Sequence, residues 1–92
     1  MARRVYFVAH GGTVQGVGFR YFTRKKAEEL GITGWCRNTP DNKVEGEAQG
    51  DEEALGQFLG CVDEGPRHAV VVRLTREERD AAEGETGFSI RR

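Results

Sequence analysis

The stretch TVQGVGFRYF, residues 13–22, decides the fold because its glycines join two segments of different character. The segment before it, VYFVA at residues 5–9, is rich in β-branched and aromatic side chains, which predicts a buried strand. After it, residues 19–30 predict an amphipathic helix, for which Gly31 is a natural stop. The apolar positions at helical intervals are Phe19, Phe22, Ala27 and Leu30.

Two strands and a second helix are predicted further along the chain. Residues 32–37 and 44–49 have the composition of a hairpin, and TPDN at residues 39–42 supplies the residues of its turn. The segment DEEALGQFLGCV, residues 51–62, predicts a helix with one apolar stripe. That stripe consists of Leu55, Phe58, Leu59 and Val62.

The last third of the chain predicts one long strand and one short strand. AVVVRLT, residues 69–75, has the clearest strand composition, whereas residues 76–85 are too polar to contribute to a core. TGFSI, residues 86–90, predicts a short closing strand. The order strand, helix, strand, strand, helix, strand is the split βαβ pattern of an α+β fold. It implies an antiparallel sheet with two helices on one face and a short C-terminal strand.

The composition limits the classes of protein to which the chain can belong. Ninety-two residues suit a single domain, residues 1–92, and the formal net charge of -1 gives no global reason to expect a nucleic-acid partner. With 37% hydrophobic and 32% charged residues and no long apolar run, neither a membrane span nor a signal peptide is predicted. We therefore expect a cytoplasmic protein that does not act at a membrane.

The two cysteines, Cys36 and Cys61, are far apart and have no metal-ligand spacing. The pattern favours two reduced, partly buried thiols, because free cysteine behaves as a small hydrophobic residue. A disulfide between them stays open as the alternative. No metal site is predicted.

The glycine turn itself predicts an anion-binding site. A strand that ends in such a turn and leads into a helix exposes several unpaired backbone N–H groups in one small region. Gly16 and Gly18 lack a Cβ, so the backbone can come close to a phosphate, and Arg20 can hold two phosphate oxygens at once. A tight turn with a solvated arginine is the alternative interpretation.

Three better-known glycine motifs do not fit the stretch. A Walker loop needs Lys followed by Ser or Thr after its last glycine, and a dinucleotide fingerprint starting at Gly16 needs glycine where Tyr21 stands. The string QGVGFRYF is similar to the RNA-binding strand of an RRM, but here it leads into a helix instead of forming a third strand. These three functions are therefore excluded.

Four segments together resemble the acylphosphatase family, and they cover most of the chain. They are VQGVGFRYF at residues 14–22, LGITGWCRNTPDNKVEGEAQG at 30–50, GPRHAVVVRL at 65–74 and GFSI at 87–90. The resemblance implies a ferredoxin-like βαββαβ fold and hydrolysis of acyl phosphates to carboxylate and inorganic phosphate, with no metal or other cofactor. We expect a monomer whose partners are a small-molecule acyl phosphate and inorganic phosphate or a similar anion.

The resemblance also implies the site residues. Arg20 matches the phosphate-binding arginine, and Asn38 matches the asparagine that orients the attacking water. In the family, backbone amides form a cradle that binds the phosphate. The amides that match this cradle are those of Gln15, Gly16, Val17, Gly18, Phe19 and Arg20.

The chemistry of the substrate agrees with these roles. An acyl phosphate is a mixed anhydride whose leaving carboxylate has a low pKa, so what remains is to neutralise phosphoryl oxygens and to place a water. His10 and His68 are not needed as bases, and Trp35 should pack on the face of its strand opposite Cys36 and Asn38. Two alternatives stay open: a non-catalytic anion-binding module and the acylphosphatase-like domain of a carbamoyltransferase.

Two positions depart from the family pattern. Asn42 stands in the hairpin turn where glycine is common, and asparagine tolerates a left-handed conformation there. The family usually has one residue between an upstream glycine and the Val-Gln pair, whereas both Gly12 and Thr13 lie between Gly11 and Val14. We interpret this as an insertion and predict a β-bulge at residues 12–13 with one of the two glycines at positive φ.

Overall fold

The computed structural model describes residues 2–16 and 18–92 of the chain. The order of its elements confirms the predicted pattern of strands and helices. The elements are β1 (Arg3–His10), α1 (Phe19–Leu30), β2 (Thr33–Asn38), β3 (Val44–Gly50), α2 (Glu52–Glu64), β4 (Arg73–Arg79) and β5 (Phe88–Arg91).

The strands form one sheet in the order β4-β1-β3-β2-β5. The first four strands pair antiparallel, as the α+β fold class requires, and β5 pairs parallel with β2, so the sheet is mixed. The chain reaches β5 from the opposite edge by crossing the outer face of the sheet. On that face the nearly buried Arg4 binds Glu47 and Glu85, and Gln49 binds the backbone of Ala82.

The core lies between the sheet and the two helices. Phe58 of α2 is its centre: the ring contacts Phe7 of β1 edge to face, with the ring centroids 5.8 Å apart, and Phe88 of β5 at 5.7 Å. Such pairs stabilise a core beyond the burial of their area. All four predicted residues of the α2 stripe are buried: Leu55, Phe58, Leu59 and Val62.

The ends of the helices follow from their sequences. α1 ends at Gly31, whose left-handed backbone lets its N–H bond the carbonyls of Ala27 and Glu28. α2 begins after Asp51, whose carboxylate accepts a hydrogen bond from the N–H of Ala54 at 2.8 Å. In the hairpin turn Asn42 has φ 62°, which confirms its predicted left-handed conformation.

The predicted bounds of the fourth strand were wrong. The strand was placed at residues 69–75, but β4 begins at Arg73 and continues to Arg79 through a segment interpreted as too polar. Its composition misleads because β4 is an edge strand, bonded to β1 alone, with most of its side chains in solvent. Val70 and Val72, the residues that suggested a buried strand, are exposed.

The predicted bulge at residues 12–13 was also wrong. His10 lies opposite Arg73 and Thr13 lies opposite Val70, so two residues face two across this gap, whereas a bulge sets two against one. Neither Gly11 nor Gly12 has a positive φ. There is no insertion, because Gly12 is separated from Val14 by one residue, Thr13, and so has the family spacing.

Gly11 is required for a different reason, which gives a testable prediction. A Cβ at Gly11 would lie 2.0 Å from the carbonyl oxygen of Val70, whereas a Cβ at Gly12 would meet nothing within 4 Å. We expect Gly11→Ala to lower the free energy of unfolding by about 1 to 3 kcal/mol, because the backbone of Val70 must move. The matched Gly12→Ala should change it by less than about 0.5 kcal/mol. Equal effects in urea unfolding would contradict this account.

Candidate active site

The loop between β1 and α1 has the backbone conformation that the anion-site prediction needs. Gly16 (φ 75°) and Gly18 (φ 72°) are both left-handed, a conformation in which a side chain is strained. Gly18 is the N-cap of α1 and has no side chain to bond the first N–H groups of the helix. Val17, also predicted to belong to the cradle, lies outside the described residues.

A pocket of about 100 Å³ opens at this loop. Its lining brings together the two residues that sequence analysis singled out, Arg20 from the first turn of α1 and Asn38 from the last position of β2. The remaining lining residues are Val14, Gly16, Gly18, Phe19 and Tyr21. Eighteen positions apart in sequence, the arginine and the asparagine meet because α1 packs on β2.

Arg20 is positioned by the C-terminal strand. Its Nη1 donates a hydrogen bond to the carbonyl oxygen of Arg91 in β5, at 3.4 Å. In the part of the chain that the structure describes, no carboxylate forms an ion pair with Arg20. Its guanidinium therefore keeps donors for an anion in the pocket.

Gln15 fixes the loop to the hairpin, a role that sequence analysis missed. Its side-chain Nε2 donates to the carbonyl oxygens of Thr39 (2.8 Å) and Lys43 (2.9 Å), at the two sides of the β2–β3 turn. The prediction concerned only the backbone amide of Gln15. Because Asn38 directly precedes Thr39, the same two bonds hold the loop next to Asn38.

The cysteine nearest the site is structural. Cys36 is fully buried on β2, and its Sγ lies 3.9 Å from the carbonyl oxygen of Arg20. Burial raises the pKa of the Cys36 thiol to about 12, although Arg20 and Arg24 act in the opposite direction. The thiol is therefore protonated at neutral pH and is not a nucleophile.

Alkylation tests this assignment of the cysteines. We expect iodoacetamide to leave Cys36 of the folded protein unmodified, because its thiol is both buried and protonated. Cys61 is partly exposed and serves as the internal comparison. Mass spectrometry of native and urea-unfolded samples measures both sites, and Cys36→Ala/Cys61→Ala should keep its turnover. An adduct on native Cys36 that abolishes activity would overturn the assignment.

The histidines and Trp35 lie where the sequence indicated. The ring of His10 is 3.1 Å from the hydroxyl of Thr75, and burial is the main cause that lowers its pKa. His68 is exposed, and neither histidine lines the pocket. Trp35 packs on the outer face of the sheet, with the guanidinium of Arg91 4.5 Å from its ring centroid.

The described ranges, residues 2–16 and 18–92, contain no group of three or more His, Cys, Asp or Glu side chains that could hold a metal ion. They also contain no helix that is long and apolar enough to cross a membrane.

Comparison with known proteins identifies one family model and relatives named after it. The family model described as Acylphosphatase matches residues 5–90. An acylphosphatase from Salinibacter ruber is 48% identical over 81 residues, which are 88% of this chain and 85% of that protein. The crystal structure of acylphosphatase from Bacillus subtilis superimposes with a TM-score of 0.89 at 37% identity, and the match covers 100% of both chains.

A much longer protein contains a similar domain. The crystal structure of T. kodakarensis HypF matches with a TM-score of 0.80 and 27% identity over 100% of this chain, which is 12% of that one. The curated relative from S. ruber, in contrast, is matched over most of its own length. The comparisons therefore favour the acylphosphatases over the longer protein as the relevant relatives.

Proposed function

This chain belongs to the acylphosphatase family, and from that premise we propose that it hydrolyses acyl phosphates through Arg20 and Asn38 without a metal ion. The products are a carboxylate and inorganic phosphate. The observation that carries the proposal is that both side chains line one pocket at the N-terminus of α1.

Phosphate binding is the task of Arg20 and the loop. The guanidinium can donate two parallel hydrogen bonds to phosphoryl oxygens, and the first N–H groups of α1 add donors at the positive end of the helix dipole. Gly16 and Gly18 both line the pocket, and a Cβ at either position would meet no atom within 4 Å. The cradle thus neutralises charge on the oxygens as they pass through the transition state.

Water placement is the task of Asn38. An amide has an acceptor and two donors, so it can accept a hydrogen bond from a water and leave one lone pair of that water directed at phosphorus. Asn38 reaches the pocket from β2, on a different element from Arg20. Arg20 therefore contacts the phosphoryl group while Asn38 contacts only the attacking water, which suits an in-line displacement.

The leaving group needs no proton donor. A carboxylate leaves readily because of its low pKa, so a general acid contributes little to the reaction. The lining of the pocket agrees, since it includes no His, Asp or Glu side chain among the described residues. The rate enhancement comes from neutralising charge on the phosphoryl oxygens and from positioning the attacking water.

Hydrolysis of acetyl phosphate in the presence of EDTA tests the proposal. We expect phosphate release at the same rate before and after chelation, because no described cluster of side chains could hold a metal ion. Loss of turnover that one divalent metal restores would contradict metal independence. Phosphate binding without turnover would favour the non-catalytic anion-binding module instead.

We also propose a domain organisation, an oligomeric state and a cellular location for the protein. The single five-stranded sheet supports one folding unit over residues 1–92. A monomer suffices for the reaction, because both proposed catalytic residues come from the same chain. We propose the cytoplasm as the location, and sedimentation with cell fractionation would test both statements.

A further inference from the structure

The side chain of Gln15 connects the loop between β1 and α1 to the turn between β2 and β3. Its Nε2 donates hydrogen bonds to the carbonyl oxygens of Thr39, at 2.8 Å, and Lys43, at 2.9 Å. In the part of the chain that the structure describes, these are the only hydrogen bonds between that loop and that turn. The hydrogen-bonded contact between the two segments therefore depends on one carboxamide.

The β2–β3 turn has little other support on the side of the pocket. Residues 40–42 at its tip are exposed. Its base is closed by the N–H of Thr39, which bonds the carbonyl oxygen of Lys43 at 2.9 Å. Because Gln15 bonds the carbonyl oxygens of both these residues, its carboxamide holds the two ends of the turn at once.

The loop between β1 and α1 needs support from outside as well. Gly16 and Gly18 are left-handed and have no side chains, so they restrict the backbone less than other residues do. Before them, the carbonyl oxygen of Thr13 accepts a hydrogen bond from the N–H of Val70 at 2.8 Å, which fixes the loop to the segment that precedes β4. Gln15 supplies the corresponding support on the side of the hairpin.

We propose that Gln15 is a positioning residue, whose side chain sets the place of Asn38 relative to the phosphate cradle. Asn38 directly precedes Thr39, the residue that Gln15 bonds, and it lines the pocket together with Arg20. A carboxamide has two N–H donors, and Gln15 directs both at the hairpin, so its side chain does not bind the phosphoryl group. The inference rests on the proposed hydrolysis, because it assigns the residue that places the water-holding Asn38.

The expected effect is on the rate and not on phosphate binding. A misplacement of about 1 Å at a reacting centre can cost about 100-fold in rate, so loss of both bonds should lower kcat by about 10- to 100-fold. The inhibition constant for inorganic phosphate should change little, because Arg20 and the first N–H groups of α1 remain in place. A purely structural role for Gln15 would not produce this difference between the two constants.

Gln15→Met provides the test, because methionine has a similar length and no N–H donor. We expect kcat for acetyl phosphate to fall by about 10- to 100-fold at a nearly unchanged inhibition constant for phosphate. Gln49→Met is the matched control. The Nε2 of Gln49 also donates to a backbone carbonyl, that of Ala82 at 2.9 Å, but Gln49 lies opposite Thr33, at the end of the hairpin away from the turn. This variant should keep the wild-type kcat.

A double-mutant cycle shows whether Gln15 acts through Asn38. In Asn38→Ala the residue that holds the water is already absent, so adding Gln15→Met should lower kcat by less than about twofold. A further loss as large as the one in the wild-type background would overturn the positioning role. If circular dichroism shows that Gln15→Met does not fold, the same cycle is measured with Gln15→Asn, whose amide is one methylene short of both carbonyls.

Failure of the positioning role can be distinguished from failure of the proposed function. An active wild type with an equally active Gln15→Met would overturn the positioning role and leave the hydrolase intact. An equal loss of kcat in Gln49→Met, or a higher inhibition constant at unchanged kcat in Gln15→Met, would overturn it as well. If the wild type does not hydrolyse acetyl phosphate, the proposed function fails and the role of Gln15 fails with it.

Discussion

Arg20→Ala is expected to lower kcat/KM for an acyl phosphate by a factor on the order of 1000, the range found when an arginine is removed from a phosphoryl-transfer site. The loss should appear both as a lower kcat and as a higher inhibition constant for inorganic phosphate, because Arg20 contacts the phosphoryl oxygens before and during the reaction. Steady-state kinetics with phosphate as a competitive inhibitor measure both. An unchanged inhibition constant would show that Arg20 does not bind phosphate.

Arg20→Lys separates charge from geometry. Lysine keeps the positive charge but cannot donate two parallel hydrogen bonds from a planar group, so we expect only partial rescue of the alanine variant. Both variants should fold, since the side chain of Arg20 makes one long hydrogen bond, to the carbonyl of Arg91. Full activity in Arg20→Lys would mean that charge alone suffices and that the bidentate contact is wrong.

Asn38→Ala should lower kcat by a factor on the order of 100 or more while the inhibition constant for phosphate changes little. The reason is that Asn38 contacts the attacking water and not the phosphoryl oxygens. Nearly full kcat in this variant would remove the water-orienting role.

Asn38→Asp is the matched control for this second variant. It keeps the shape of the side chain but adds a negative charge that repels the phosphoryl group. We therefore expect Asp, unlike Ala, to raise the inhibition constant for phosphate. Equal inhibition constants for the two variants would place Asn38 outside the phosphate site.

Local patterns were sufficient to predict most elements of the fold. The helix at residues 19–30 was predicted to the residue, because its apolar spacing and Gly31 both act locally. β4 was misplaced because the polarity of a strand depends on its position in the sheet. Nothing in the segment RLTREER reveals that it will pair with β1 at an edge.

The β-bulge at residues 12–13 was mispredicted for a similar reason. The family spacing counted from Gly11 gave an extra residue, but the partner segment, Val71 and Val72, supplies an equal number on its side. The need for glycine at position 11 comes from the carbonyl of Val70, about sixty positions away in sequence. Such a contact has no local signature.

The site residues that could be predicted are those whose side-chain type determines their chemical role. Arg20 and Asn38 were identified from the family motif, and they share a pocket. The bonds from the side chain of Gln15 to the hairpin were not predictable, because a glutamine has no preferred partner. Similarly, the hydrogen bond of Arg20 to β5 depends on the parallel pairing of β5 with β2.

In the proposed reaction a water held by Asn38 attacks phosphorus, so the oxygen of that water should end in inorganic phosphate. Hydrolysis of acetyl phosphate would be run in water enriched in heavy oxygen, and the products would be separated for mass spectrometry. We expect the label in inorganic phosphate and none in acetate, because the bond that breaks is the phosphorus–oxygen bond. Label in acetate would mean attack at the carbonyl carbon and would contradict the roles given to Arg20 and Asn38.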